Sequence, residues 1–366
     1  MKYDLKARVQ CNFFSQHYGC NLVCDSCMAC KPAKSTEPLM NYRDFTLSAG
    51  HRLSRFSHRT YVAMTRPEEL SPWICMPGWA LETCTRDPMH VIYLGVCRDL
   101  LASLLADWMD ANLLPAAPTQ QERLRLLSLE MHAACKQAKQ LVCSLICMLP
   151  CAAHAALRQG PCDLTLRTIR ISFRRKFFTL ANCNLGKAEF PELSTTWKAA
   201  EIKVVLWFLS VKAVELTDPL LQAGTACVWS LNEAMSLLDM HDIILPQQEA
   251  TRFAELMRQS LLYWQLLAGK CHAMGKKCWK LRPKHHVMDH LCDDVQRTRI
   301  NPRLACSCFQ EESYLGHLKR IAVHCSSMRV MERTLQRLLL LLAVRWKHSR
   351  EAMNEVEAQY TFHDLM

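Results

Sequence analysis

After Pro88 the apolar residues recur at the spacing of a helix face, and few segments alternate as strands do. A chain patterned this way packs helices against helices, and any sheet in it is small or incomplete. Helices are expected over 91–114, with Asp107 and Asp110 on the polar side, and over 119–149, where Thr119 stands as N-cap before Gln120, Gln121 and Glu122 and Pro150 ends the run. Further helices are expected over 195–216, 229–240, 246–270, 284–298 and 329–347. The stretch 31–86 is rich in Pro, Ser and Thr and reads as loops with short strands, while 169–180 fits either a strand or a basic helix. The expected organisation is a Cys-rich segment over 1–34, a loop-rich connector over 35–86, a helical body over 87–348 and a tail over 349–366.

With 366 residues, half of them hydrophobic, the chain has enough apolar surface for a buried core. Its 45 Lys and Arg against 34 Asp and Glu give a net charge of +11, which favours polyanions such as DNA. The first residues lack an apolar h-region, so no secretory signal is expected, and a reducing nuclear or cytoplasmic location follows. No run reaches the ~18 consecutive apolar residues of a membrane span. The 21 cysteines then read as small buried apolar groups or as metal ligands, not disulfides. A homo-oligomer is compatible with these features.

The tightest cysteine cluster is Cys20, Cys24, Cys27 and Cys30, and Cys24-Asp-Ser-Cys27 has the separation at which two thiolates of one turn grip zinc. Four ligands within so few residues crowd one another, so Cys11, His17, His51, His58, Cys75 and Cys84 are candidates for the remaining ligands. Asp87-Pro-Met-His90 precedes an apolar helix and suits a hard cation, although Asp before Pro is also an ordinary helix start. Glu311 and Glu312 lead into a helix carrying His317, Lys319, Arg320 and His324; they suit a metal beside a phosphate backbone, or a first turn complementing the helix dipole. In Arg282-Pro-Lys284-His285-His286, followed by Asp289 and His290, the pair His286 and His290 shares one helix face. That pair fits zinc ligation, phosphate contacts or packed imidazoles. Arg174, Arg175 and Lys176, between Phe173 and Phe177, form a further basic run.

In order and setting these passages resemble the CACTA-type (En/Spm-like) DDE transposases. Tyr18-Gly-Cys20 through Cys30 matches that family's Cys-rich knuckle, and Asp87-Pro-Met-His90-Val-Ile-Tyr-Leu-Gly95 its Asp-x-x-His motif before a helix. Lys284-His285-His286 and Phe309-Gln-Glu311-Glu312-Ser-Tyr-Leu-Gly316-His-Leu-Lys319-Arg320 follow in sequence. The resemblance implies an RNase H-like α/β core, here incomplete and carrying a helical insertion, beside a small zinc-knuckle-like segment. It implies Asp87 and Glu312, with Glu311 as the lesser claimant, as the second and third carboxylates holding Mg²⁺, and His90 as a supporting or DNA-contacting group. Lys284, His285, His286, Lys319, Arg320 and the run Arg174, Arg175 and Lys176 would contact DNA. The family's first carboxylate should precede the Cys cluster, where Asp4 is the sole acid and lacks an apolar strand before it. The expectation is a truncated, transposon-derived DNA-binding chain whose cleavage machinery is incomplete. The alternative is a non-catalytic, metal-stabilised adaptor for nucleic acid or protein in which Asp87 and Glu312 are helix caps.

Overall fold

A computed structural model describes residues 5–32, 40–147, 177–216, 218, 221–325 and 327–363. Helix dominates them, and extended pairing among them is limited to isolated bridges between Leu22 and Cys30, Cys30 and Asn41, and Ile244 and Ile300. The sheet of an RNase H-like core is therefore not found among the described residues. The short strands expected in 35–86 are corrected as well. Helix α2 (Gly50–Leu53), helix α3 (His58–Met64) and 3₁₀ turns at Pro67–Glu69, Pro72–Cys75 and Leu81–Thr83 occupy that stretch. The cause is local, because Ser57 and Ser71 cap the amides of Thr60 and Trp73, and Pro67 and Pro72 open their turns with no amide to give a ladder.

The chain divides into two compact units, Met1–Ser307 and Cys308–Met366. The first begins with α1 (Leu5–Asn12). A π-helical segment, Met89–Val96, runs directly into α4 (Cys97–Asp110). Met89–Asp110 is long and apolar enough to cross a membrane by length and composition, yet 78% of its apolar window is buried within the fold, as befits a core element. Leu100, Leu101, Leu104 and Trp108 all lie inside. Helix α5 (Gln120–Cys147) starts where Thr119 Oγ1 accepts the Glu122 amide at 3.2 Å. Helices α6 (Ala199–Glu215), α7 (Gln222–Met240), α8 (Gln247–Ala273) and α9 (Pro283–Thr298) then pack each on the next, and the π-helical segment packs on both α6 and α9. Trp264 and Trp279 cross edge to face at 5.5 Å, and the Trp279 ring N–H reaches Asp107 at 2.7 Å, tying α8 to α4. A short helix, α10 (Pro302–Ala305), follows α9. The second unit is α11 (Phe309–Ala322) followed by α12 (Val330–His363), which pack on each other.

One buried carboxylate gives this core a pH dependence. Asp99 on α4 is 1% exposed; it pairs with Arg282 at 2.8 Å, but Arg282 also serves Glu192 and no donor meets the second Asp99 oxygen. Burial therefore outweighs the arginine and pushes the Asp99 carboxyl up to about 7. An acid whose pKa is raised by folding binds its proton more tightly in the native state, so its contribution falls as pH rises from about 4 to about 7 and is flat above. That shift, which already includes the attraction of Arg282, corresponds to ~4 kcal/mol against the charged form. Asp99→Asn, neutral at every pH, is expected to be more stable than wild type by up to ~4 kcal/mol at pH 8, and to lose most of that advantage at pH 4.5, where the native carboxyl is itself protonated. Denaturant titrations at the two pH values check this, and a difference that does not change with pH would rule it out.

Candidate metal centre

The segment after α1 folds as a compact loop. The Val23 amide bonds to the Ala29 carbonyl at 2.9 Å, closing a turn whose interior residues Cys24 and Cys27 are 3% and 0% exposed. The Ser26 amide donates to Cys24 Sγ at 3.3 Å, as backbone amides commonly do toward a thiolate. Val23, Ala29 and Tyr42 pack around the two sulfurs. Opposite lies α9, opened by Pro283 at its first turn and by the Arg282 amide donating to His285 Nδ1 at 3.0 Å. Residues four apart share a helix face, so His286 and His290 present their rings together toward the loop.

The two half-motifs meet. Cys24 Sγ lies 3.2 Å from His290 Nε2, and Cys27 Sγ lies 3.2 Å from His286 Nε2 and 3.3 Å from His290 Nε2. All four donor atoms fall within 4.8 Å of one another, and all four residues are buried. A tetrahedral zinc with Zn–S near 2.3 Å and Zn–N near 2.05 Å sets sulfur and nitrogen ~3.5 Å apart, so the cluster is within a few tenths of an ångström of the required size. Two thiols and two imidazoles with no water-facing side make the donor set of a closed, structural zinc centre. This Cys2His2 group can hold a metal ion.

Electrostatics agree with the geometry. Burial resists ionisation of Cys24, but the Cys27 thiol and the rings of His290 and His286 hold it well below the usual thiol value. Burial and the neighbouring Cys24 push Cys27 well above it, so the two sulfurs share one proton that a metal would displace. Burial also takes His290 down to about 4, keeping its ring neutral as a ligand must be. Around the centre, Arg55 donates to His290 Nδ1 from Nε at 3.0 Å. A ring ligating through Nε2 keeps its proton on Nδ1, and Arg55 then has Asp293 and Asp294, 3.7 and 3.5 Å from its Nη2, to turn to. The His286 ring meets His51 edge to face at 4.6 Å, and the donor atoms of His51, His286 and Asp289 fall within 4.8 Å of one another, which places outer partners beside the second imidazole.

Compared with protein-family models, curated proteins and solved structures, the chain matches none. What the centre is must be read from its own residues.

The four-cysteine knuckle is corrected to two. Cys20 Sγ pairs with His17 Nε2 at 3.2 Å and Cys30 Sγ faces the Met40 carbonyl at 3.4 Å, because the loop closure at Val23 turns only Cys24 and Cys27 inward. Cys11 and Cys75 are exposed, and Cys84 meets Asn12, so these cysteines do not complete the set. Asp87 is buried and caps its own turn: Oδ1 accepts the Met89 amide at 2.9 Å while Oδ2 is held by His90 Nδ1. The His90 carbonyl receives Lys284 Nζ at 3.0 Å across Gly95, where a Cβ would lie 2.5 Å from Lys284 Cδ. His285 is fully buried against Trp264, 4.3 Å between rings, and burial takes it to about 3; with His286 turned to the sulfurs, neither imidazole faces a phosphate. Glu311 and Glu312 stand on the first turn of α11, and their side chains lie outside the described residues, as do Arg174, Arg175 and Lys176 altogether. Lys319 and Arg320 are exposed in the last turn of α11.

Proposed function

We propose that this chain is a transposase-derived DNA-binding protein in which zinc fastens the N-terminal Cys loop to the helical body, and that it holds DNA without cutting it. The observation that carries the reading is the union of Cys24 and Cys27 with His286 and His290, two passages of the CACTA-type resemblance brought into one buried donor set. The order of the remaining passages supports descent from an RNase H-like core, of which this chain keeps a helical remainder. The net charge of +11 and the exposed Lys319 and Arg320 support a polyanionic partner, and the nucleus is the compartment where it would be met. Asp87 has both oxygens engaged within its own turn, which supports a capping role for it over Mg²⁺ ligation and cleavage.

Fluorescence anisotropy with a labelled duplex tests this. About four phosphate contacts are expected, so affinity should fall about a hundredfold between 50 and 200 mM salt. Charge reversal at Lys319 and Arg320 should lower the salt slope by about two. Absent or salt-insensitive binding would retire the DNA reading in favour of a protein-binding adaptor. Nicking of supercoiled plasmid with Mg²⁺ by the purified chain, lost in Asp87→Asn, would retire the non-cutting half.

A further inference from the structure

Away from the metal centre, the first unit contains a cavity of about 70 Å³ between the end of α1, the Cys loop and α3. Its walls include Phe14, Phe56 and Tyr61, and its polar lining includes Gln16, Asp25 and Glu69. Phe14 and Tyr61 pack edge to face on each other, 86° between planes and 5.7 Å between centroids, and both line the cavity. Aromatic faces carry the negative lobe of the ring quadrupole, which attracts a cation that has little water to lose.

The polar atoms define the charge and shape of that cation. Tyr61 is buried, and Gln16 Oε1 is a buried acceptor that meets no hydrogen-bond partner. Buried acceptors left without donors are costly, and a donor entering the cavity removes the cost. Asp25 is gripped by Arg8, from Nε at 2.7 Å and Nη2 at 3.0 Å, and Arg8 also lies over the Phe14 ring. That pair is balanced, and exposed Glu69 adds negative charge at the mouth. The charged members of the lining are the carboxylates of Asp25 and Glu69, beside the hydroxyls of Ser15 and Thr65, which disfavours an anion. The volume suits a small head group and not an extended ligand.

We propose that this cavity binds a methylated ammonium group, the dimethylammonium end of a methylated lysine side chain. Its methyls lie against Phe14, Phe56 and Tyr61, where a bare ammonium would have to shed firmly held water, and its single N–H meets Gln16 Oε1, which a trimethylammonium has no hydrogen to reach.

The test uses the zinc-loaded full chain and calorimetric titration with one short peptide carrying lysine in its un-, mono-, di- or trimethyl form, or the neutral tert-butyl analogue of trimethyllysine. The dimethyl form is expected to bind about tenfold more tightly than the unmethylated form and than the neutral analogue. Phe56→Leu, at a half-buried wall, should abolish that preference with zinc content unchanged. Gln16→Met should move the preference from dimethyl to trimethyl while leaving the aromatic walls intact, which keeps the test alive if Phe56→Leu misfolds. Equal binding of the neutral analogue would mean an apolar hole only. No binding of any form at millimolar peptide would mean that the cavity is filled by water alone, and either result overturns the proposal. Neither outcome depends on whether the chain binds DNA.

Discussion

Chelation of zinc-loaded protein is expected to lower its stability by ~5 kcal/mol, and Cys27→Ser is expected to take the zinc content from one per chain to none. Structural zinc in finger peptides contributes ~10–16 kcal/mol, because without it the ligands have no other reason to converge. Here part of that convergence is secured by other contacts: the Val23, Ala29 and Tyr42 cluster and the arginines that reach α9 hold the loop as well, so a metal-free chain should be loosened locally and not unfolded throughout. His290→Ala should act as Cys27→Ser does, since it removes the ring that touches both sulfurs. Cys20→Ser and Cys30→Ser should keep full zinc, because those sulfurs face His17 and the Met40 carbonyl. Elemental analysis beside thermal unfolding distinguishes the two classes. Zinc loss in Cys20→Ser equal to that in Cys27→Ser, or a chelated protein of unchanged melting temperature, would sink this account.

Both halves of this centre were legible in the sequence, but their meeting was not. The two-residue spacing of Cys24 and Cys27 and the four-residue spacing of His286 and His290 are local, and each marks a pair of ligands on one turn. The sulfur–nitrogen contacts join residues 259 to 266 positions apart, and no periodicity within either segment encodes which distant face it meets. A stoichiometric hint was present: two donors in each segment are what a tetrahedral site needs from each. Helices α6 to α9 were legible because their apolar stripes are long and regular. The stretch 40–86 was not, since Pro, Ser and single aromatics suit short strands and capped 3₁₀ turns alike, and only the Ser57 and Ser71 caps decide it. His285 was misread as a phosphate contact for a related reason: beside Arg282 and Lys284 it looks solvent-facing, yet one step around the helix places it against Trp264. Arg55 carried no local signal, and Asp289 only its place between the two histidines, because an outer partner of a ligand is defined by the folded neighbourhood.

Arg86→Met is expected to cost ~3 kcal/mol, with most of that loss recovered by adding Asp294→Leu. Arg86 is 7% exposed and donates to Asp294 at 2.5 Å and to Ser26 Oγ at 2.7 Å, with Asp25 at 3.8 Å, so one guanidinium joins the metal-binding turn to α9. Removing it alone leaves two carboxylates, both largely withdrawn from solvent, short of positive charge, whereas removing both partners leaves an apolar contact of similar size. Arg8 still serves Asp25, and Arg55 and Arg297 still approach Asp294 at 3.5 and 3.6 Å, which is why the single loss sits at the low end for a broken buried pair. The coupling should persist in 0.5 M salt, because buried charges are little screened, unlike an exposed pair such as Arg125 with Glu122. Additive effects in the double-mutant cycle would show that Arg86 acts through packing alone. Because the turn between Cys24 and Cys27 hangs from this clamp, Arg86→Met should still bind one zinc but release it to a chelator faster, whereas Arg125→Met should leave the release rate unchanged.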